Sequence, residues 1–337
     1  MDKTRILVTG GCGFIGSNFI RYMLSKYPYI IINFDKLTYA GNLENLKDVE
    51  SDSRYTFVRG DIASKADLAT VFEQGIDVII NFAAESHVDR SILDPDTFIR
   101  TNINGTFNLL EEARKREVKR FIQISTDEVY GSLGKEGKFT ESTPLSPNSP
   151  YSASKTAADM LAMAYHKTYG TQVLITRCSN NYGPYQFPEK LIPLIITNAL
   201  EDKELPVYGD GMNVRDWIHV IDHAVAIDAV LHKGVLGNVY NIGGENERTN
   251  IEIVKLILSI LGKPESLIKY VTDRPGHDRR YAIDSSRIKR ELTYSVTTDF
   301  RKGMEDTVKW YLDNRGWWER IKSGAYLEYY DRMYKNR

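Results

Sequence analysis

Cysteine is scarce in this chain: Cys12 and Cys178 are the only two among 337 residues. They lie far apart and lack metal-ligand spacing, so they read as reduced thiols of a cytoplasmic protein, not as a disulfide. The six histidines are read as offering no metal site. An excess of charge of one sign is missing too. A net charge of -1 gives no electrostatic reason to expect nucleic acid or an anionic membrane as partner. No apolar run approaches the length of a membrane span, and the N-terminus leads directly into a strand without a signal-peptide pattern. Internal repeats and low-complexity tracts are also lacking. The remainder is ordinary, with 42% hydrophobic and 26% charged residues, and the length suggests about two domains or one large one.

What is present begins with the stretch Arg120 to Gly131. Phe121, Ile122 and Ile124 read as a short buried strand of a parallel sheet. The apolar run stops at Ser125-Thr126-Asp127-Glu128. Ligands of open parallel sheets collect beyond the carboxyl ends of the strands, so a hydroxyl and two carboxylates stand where a substrate is expected. Adjacent strand residues point to opposite faces, and Asp127 and Glu128 therefore converge only if the strand has ended near Ser125.

Tyr151-Ser-Ala-Ser-Lys155 opens a long helical pattern. Residues i and i+4 share a helix face, so the phenol and the ammonium can address one point. A free tyrosine has a pKa of about 10, too high for a base at neutral pH. A cation about 4 Å away is worth roughly 4 kcal/mol at an effective dielectric near 20, or about three pK units. Lysine alone gives less, and a positively charged nicotinamide adds to it. Such a pair suits removal of a hydroxyl proton while hydride leaves the same carbon. Tyr-x-x-x-Lys is frequent by chance, so its weight comes from what precedes it.

Ile6 to Thr9 is a short apolar strand, followed by Gly10-Gly-Cys-Gly-Phe-Ile-Gly16 and by Phe14, Ile15, Phe19, Ile20, Met23 and Leu24 at helical spacing. Strand, glycine turn and helix in that order make a phosphate site, because glycines let the backbone approach a pyrophosphate and the helix N-terminus offers free N–H groups. The spacing of Gly10, Gly13 and Gly16 differs from the commoner dehydrogenase pattern. A second strand, Ile30–Phe34, ends in Asp35, whose carboxylate would accept ribose hydroxyls and repel a 2′-phosphate, favouring NAD over NADP. Lys36 beside it weakens that argument. A third strand, Tyr55–Val58, leads to Asp61 and Ile62, where a carboxylate could hold the adenine amino group. A fourth, Val78–Phe82, ends in Ala83-Ala84-Glu85-Ser86-His87, small enough at first to let the backbone pass a flat cofactor.

Helical patterns over Asp96–Arg116 and Tyr151–Tyr169, a Gly-, Pro- and Ser-rich loop from Gly131 to Pro150, and a strand at Val173–Thr176 complete an alternation that predicts a doubly wound parallel sheet. From Cys178 the texture changes to turn chemistry at Asn180-Asn-Tyr-Gly-Pro184 and to shorter mixed elements. Helices are expected at Leu191–Glu201, Ile221–His232, Asn250–Leu261 and Phe300–Leu312, and strands near Val207-Tyr208 and Val239–Ile242. The expected division is an NAD-binding Rossmann domain over 1–178, with later segments able to return to it, and a smaller mixed α/β substrate domain over 179–337. Lys190, Arg215, Asn250, Arg274 and His277 are loop residues that singly read as solvated but together suit a grip on a diphosphate and a sugar. The aromatic tail with Trp317, Trp318, Tyr326, Tyr329, Tyr330 and Tyr334 reads as packing or contact surface.

With Arg215-Asp-Trp-Ile-His-Val220 and Asp273-Arg-Pro-Gly-His277, these segments resemble the extended short-chain dehydrogenase/reductase family, and within it the nucleotide-sugar 4,6-dehydratases that act on dTDP-glucose. The resemblance spans essentially the whole chain. It implies bound NAD and an internal redox cycle. Tyr151, with Lys155 and Thr126, would take the C4 hydroxyl proton as hydride leaves; Glu128 would remove the acidified C5 hydrogen while protonated Asp127 serves the departing C6 hydroxyl. Hydride then returns to C6, leaving a 4-keto-6-deoxy sugar nucleotide. The resemblance implies cofactor contacts from Gly10, Gly13, Phe14, Ile15, Gly16, Asp35, Lys36, Leu37, Thr38, Asp61, Ile62, Ala83, Ala84, Thr101 and Asn181 besides Tyr151 and Lys155. Substrate contacts are implied for Ser86, His87, Thr126, Asn180, Lys190, Leu191, Pro206, Val207, Tyr208, Arg215, Asn250, Asp273, Arg274 and His277. A homodimer packed through the Asp96–Arg116 and Tyr151–Tyr169 helices is implied as well.

Elimination needs an acid and a base on one substrate, and neighbouring carboxyls can split their pKa values by repulsion and burial. An NAD-dependent sugar-nucleotide 4-epimerase or decarboxylase on the same fold needs the Tyr/Lys pair but not both carboxylates, so Asp127-Glu128 discriminates. A UDP-glucose 4,6-dehydratase shares the core and stays open as an alternative. A catalytically inactive NAD- and sugar-nucleotide-binding sensor has no use for the intact catalytic set.

Overall fold

The computed structural model describes residues 4–323. Its strands are β1 (Arg5–Thr9), β2 (Ile30–Asp35), β3 (Tyr55–Arg59), β4 (Val78–Asn81), β5 (Arg120–Thr126), β6 (Val173–Cys178), β7 (Asn180–Tyr182), β8 (Leu205–Tyr208), β9 (Val214–His219), β10 (Val239–Ile242), β11 (Glu247–Thr249) and β12 (Ile268–Val271). The helices are α1 (Phe14–Lys26), α2 (Lys65–Phe72), α3 (Val88–Leu93), α4 (Pro95–Phe98), α5 (Thr106–Lys115), α6 (Pro150–Tyr169), α7 (Leu191–Leu200), α8 (Val220–Lys233), α9 (Asn250–Leu261), α10 (Ser286–Leu292), α11 (Phe300–Asp313) and α12 (Arg315–Ile321).

Seven strands pair in the order β10-β6-β5-β4-β1-β2-β3, every neighbour parallel. Alternation within each strand feeds two cores. Ile6 and Val8 pack with α1 and α8 on one face, while Leu7 packs with α2, α5 and α6 on the other. Burial on both faces is why these strands read as unbroken apolar runs. The predicted doubly wound sheet is therefore observed. The chain winds outward through β1, β2 and β3, then returns to lay β4 on the other side of β1. That reversal opens a crevice at the carboxyl ends, the usual ligand position in such sheets.

Later elements divide. β10 closes the far edge of the main sheet against β6, and α8 packs its buried Ala224, Ile227 and Val230 into the same core as α1. A third core gathers β8, α7, α9, α11 and α12, with Leu205, Ile195, Ile257, Met304 and Trp318 buried in it. Two small sheets, β11-β9-β7 and β12-β8, flank it. Trp317 and Trp318 pack here, their indole N–H groups donating to Asn45 Oδ1 and the Tyr311 carbonyl; Tyr326, Tyr329, Tyr330 and Tyr334 lie outside the described residues.

One expected element is interrupted. The 96–116 pattern is a short helix, α4, then a π-helical stretch over Ile99–Gly105, then α5. Apolar periodicity does not register the extra residue per turn of a π segment. The bulge carries Thr101 into the cleft and lets Asn102 exchange hydrogen bonds with the Glu85 backbone at 2.9 and 3.0 Å.

Candidate active site

Gly10 takes φ +68 where β1 ends, and a Cβ there would come within 2.7 Å of the Ala83 backbone. Only glycine serves both demands. Gly13 is the N-cap of α1, with no side chain capping it, and a Cβ on it would meet only the Gly10 carbonyl, at 3.3 Å. The helix N-terminus thus faces open space with unclaimed donors, which fits a pyrophosphate. Asp35, at the end of β2, accepts from the backbone N–H groups of Cys12 and Leu37 at 2.9 and 2.8 Å. Those bonds brace its carboxylate against the glycine loop, and Leu37 adopts φ 57 to make one of them. Lys36 turns away to pair with Asp61 at 2.9 Å, so its charge is spent on that carboxylate and not on a 2′-phosphate.

The catalytic segment is built by a change of backbone. β5 runs to Thr126, one residue past the expected end, and Asp127–Tyr130 then form a 3₁₀ turn. Thr126 caps that turn, its hydroxyl accepting from the Glu128 N–H at 3.3 Å. The switch from strand to turn removes the alternation that would have sent the two carboxyls to opposite faces. Asp127 and Glu128 line one cleft together with Thr126, Tyr151 and Lys155. Across the cleft, α6 begins with a capping box at Ser149 and Ser152 and with Pro150 in its first turn, which places Tyr151 at its mouth.

Burial and neighbouring charge separate the two acids. Burial, the Glu128 charge and Asp216 hold the Asp127 carboxyl well above the usual carboxylate range. Burial also raises Glu128, but Arg274, Arg215 and Lys190 oppose it. Both carboxyls therefore hold a proton more readily than a free acid, Asp127 the more strongly; such a split is the kind that separates an acid from a base. Tyr151 is pushed well above its ordinary value by burial first, then by Glu128 and Cys178, with the Thr126 hydroxyl lowering it. The Lys155 ammonium donates to the Ile124 carbonyl at 2.7 Å; burial lowers its pKa while Asp159 and Cys178 raise it. The phenol's remaining relief must come from positive charge brought into the cleft.

The cleft also holds Gly10, Gly13, Phe14, Ile15, Gly16, Asp35, Lys36, Thr38, Asp61, Ile62, Ala83, Ala84, Ser86, Thr101, Asn180, Asn181 and Lys190. The Lys190 ammonium donates to the Ser86 carbonyl at 2.8 Å. Leu37, His87, Leu191, Pro206, Val207, Tyr208, Arg215, Asn250, Asp273, Arg274 and His277 are not among its lining residues. Arg215 and Arg274 still bear on Glu128, and Arg274 reaches Asp89 at 3.4 Å beside Tyr208, whose hydroxyl donates to the same carboxylate at 3.1 Å. His277 pairs with Asp273 at 2.6 Å. His87 is buried, and burial with Lys190 and Arg274 holds its pKa low. Leu191 and Asn250 begin α7 and α9. Val207 lies in the third core, and Pro206, its neighbour on β8, is buried as well.

Matches with known proteins follow the same outline. The GDP-mannose 4,6 dehydratase family profile matches residues 7–307. The chain belongs to that family. A relative from Xanthomonas campestris pv. campestris (strain B100), named dTDP-glucose 4,6-dehydratase, is 53% identical over 95% of this chain and 96% of its own length. A crystal structure of dTDP-glucose 4,6-dehydratase from Bacillus anthracis str. Ames in complex with NAD is 57% identical with TM-score 0.89, covering 95% of this chain and 100% of that one. The enzyme of that name from Streptomyces venezuelae, crystallised with NAD, is 52% identical with TM-score 0.93 over 95% and 100%. The resemblance read from the sequence motifs is thereby borne out.

For this family member, several cleft residues escaped the sequence reading: Glu85, Cys178, Ser179, Gln186, Phe187 and Glu189. Glu189 carried a signal, since it adjoins Lys190 in a loop beyond the Asn180–Pro184 turn; it pairs with Arg90 at 2.9 Å. Asp278 and Tyr281 also escaped, although the Arg215 guanidinium stacks 4.3 Å over the Tyr281 ring and donates to the Asp278 carbonyl at 2.9 Å. One spacing was passed over: His219 and His223 stand four apart on and before α8. His219 Nδ1 accepts from the Ile221 N–H at 3.4 Å, and His223 Nδ1 bonds Asn181 Oδ1 at 2.8 Å. Among the described residues no group of three or more His, Cys, Asp or Glu side chains is placed to hold a metal, and no helix is long and apolar enough to cross a membrane.

Proposed function

We infer that this chain is an NAD-dependent dTDP-glucose 4,6-dehydratase, a hydro-lyase that converts dTDP-glucose to dTDP-4-keto-6-deoxyglucose. The observation that carries the reading is the meeting of a phenol and two neighbouring carboxyl groups, Asp127 and Glu128, in one cleft beside the glycine cradle. A 4-epimerase on this fold has work for the phenol but none for the two acids.

The cofactor supplies redox chemistry when bound: hydride removal at sugar C4 and its later return to C6. Gly13 and the N-terminus of α1 would hold its pyrophosphate, Asp35 its ribose hydroxyls, and Asp61 and Ile62 its adenine end. Tyr151 accepts the C4 hydroxyl proton, with Thr126 hydrogen-bonded to the phenol and Lys155 held beneath it. Glu128 takes the C5 proton once C4 is a ketone and gives a proton back to C5 when hydride reaches C6. Asp127 delivers its proton to the departing C6 oxygen. Lys190, Arg215, Arg274, Asn250 and His277 are proposed to hold the diphosphate and nucleoside, and Arg215 and Arg274 then serve twice, because their charge also keeps Glu128 ionised. The division of labour we propose places the cofactor in residues 1–178 with α8 and β10 added, and the sugar nucleotide against the rest.

dTDP-glucose deuterated at C4 should yield product carrying deuterium at C6, read by NMR. Recovery of the C4 epimer instead would establish the epimerase reading, and unchanged substrate would favour the sensor.

We propose further that the protein is cytoplasmic, in keeping with two unpaired buried thiols, and homodimeric. Exposed Ile99, Phe107, Met160 and Tyr169 lie on the π stretch, α5 and α6, the helices expected to pair. A Phe107→Glu, Met160→Glu variant should sediment as a monomer while the parent sediments as a dimer. A parent that sediments as a monomer, or a variant that stays dimeric, would sink the assignment of that face.

A further inference from the structure

The two halves of the proposed reaction are carried by different elements. Proton removal at C4 belongs to α6 through Tyr151 and Lys155, and elimination belongs to the 3₁₀ turn Asp127–Tyr130. Among the buried side chains that touch both is an arginine. Arg177, on β6 and 3% exposed, donates through Nε to Asp159 Oδ2 at 2.9 Å and through Nη1 to the Tyr130 hydroxyl at 2.9 Å. Asp159 lies one helical turn beyond Lys155 on α6, and Tyr130 is the last residue of the acid turn. The Tyr130 hydroxyl passes its own proton to Asn241 Oδ1 at 2.8 Å, on β10, and its ring stacks on Phe139 at 5.0 Å. Strand register sets Arg177 directly beside Ser125, just before the catalytic run.

A buried ion pair is a weak way to glue two elements, since apolar side chains of similar volume commonly do as well or better. What a forked guanidinium adds is direction: fixed donors aimed at two partners at once. From this geometry we propose that Arg177 is a positioning residue which holds the Asp127–Glu128 turn in register with the Tyr151–Lys155 helix, so that both act on the same hexose. Arg177 is not among the residues that line the cleft; it acts through Tyr130 on one side and Asp159 on the other. Misplacement of a catalytic group by about 1 Å can cost on the order of a hundredfold in rate, so a strut of this kind governs the elimination step without taking part in it.

This inference rests on the dehydratase reading. Replacing Arg177 itself would strand the Asp159 carboxylate in the core and risk unfolding, so the informative variant is Tyr130→Phe. It keeps the ion pair and the ring, over which the Arg177 guanidinium lies at 4.9 Å, and removes the hydroxyl with its bonds to Arg177 and Asn241. Oxidation at C4, followed in a single turnover by the absorbance of reduced cofactor, should stay within about threefold of the parent, while elimination, and with it formation of the 4-keto-6-deoxy product, should slow by about tenfold or more. Reduced cofactor should therefore accumulate during steady turnover. Product formation within about twofold of the parent, or equal slowing of both steps, would overturn the proposal. A parent that fails to dehydrate the sugar would instead defeat the dehydratase reading, so the two failures are told apart.

Discussion

An Asp127→Asn, Glu128→Gln double variant should still reduce its bound cofactor on meeting the sugar nucleotide, yet form dehydrated product about 10⁴-fold more slowly. Each positioned proton transfer contributes about 10²–10⁴ in rate, and this change removes the base at C5 and the acid at C6 together. Both replacements are close in shape, so the turn capped by Thr126 should persist. The measurement is rapid mixing with the absorbance of reduced cofactor, alongside quantified 4-keto-6-deoxy product. Ordinary dehydration by the variant would remove both carboxyls from the mechanism. On the mechanism proposed above, elimination in the parent needs Glu128 ionised and Asp127 protonated. Both stand above the ordinary range, Asp127 the further. Elimination should therefore rise with pH as Glu128 ionises, at a point above the free glutamate value of about 4.3, and fall as Asp127 loses its proton.

Tyr151→Phe should block the cycle earlier, with neither reduced cofactor nor product, at a loss of about 10²–10⁴ in the C4 step. Binding of the sugar nucleotide, followed by calorimetry, should change only a fewfold, because the cations proposed for the diphosphate are untouched. Burial and Glu128 push the phenol upward, so C4 oxidation in the parent should increase with pH until the phenol is fully ionised. A flat profile in single turnovers would show that another group takes this proton.

The sequence disclosed most of what depends on local pattern. Apolar runs gave β1, β2, β4 and β10 almost to the residue, and the 250–261 period gave α9 with both ends correct, since Thr249 and Glu252 form a capping box and Gly262 closes the helix. It also singled out Asp127 and Glu128, and the condition under which both could line one cleft, which the 3₁₀ turn meets. It hid what depends on tertiary partners. β7 and β11 have three residues each and pair only through β9, so neither has a period of its own to detect. The π stretch around Thr101 kept its apolar spacing while changing its winding. Arg177 drew no notice because the expected strand ended at Thr176, one residue short of it, whereas β6 runs on to Cys178; only the fold reveals that Asp159 and Tyr130 stand on either side.

The pairing of β10 with β6 has a consequence for biosynthesis. While the chain emerges from the ribosome, the sheet that receives the dinucleotide stays one member short until Ile242 has been made. By then β7, α7, β8, β9 and α8 have already appeared, and must wait beside an unfinished neighbour whose backbone donors and acceptors are still bare. A polypeptide stalled after Cys178 would therefore carry β6 as an unpaired edge, exposed to chaperones and to other chains.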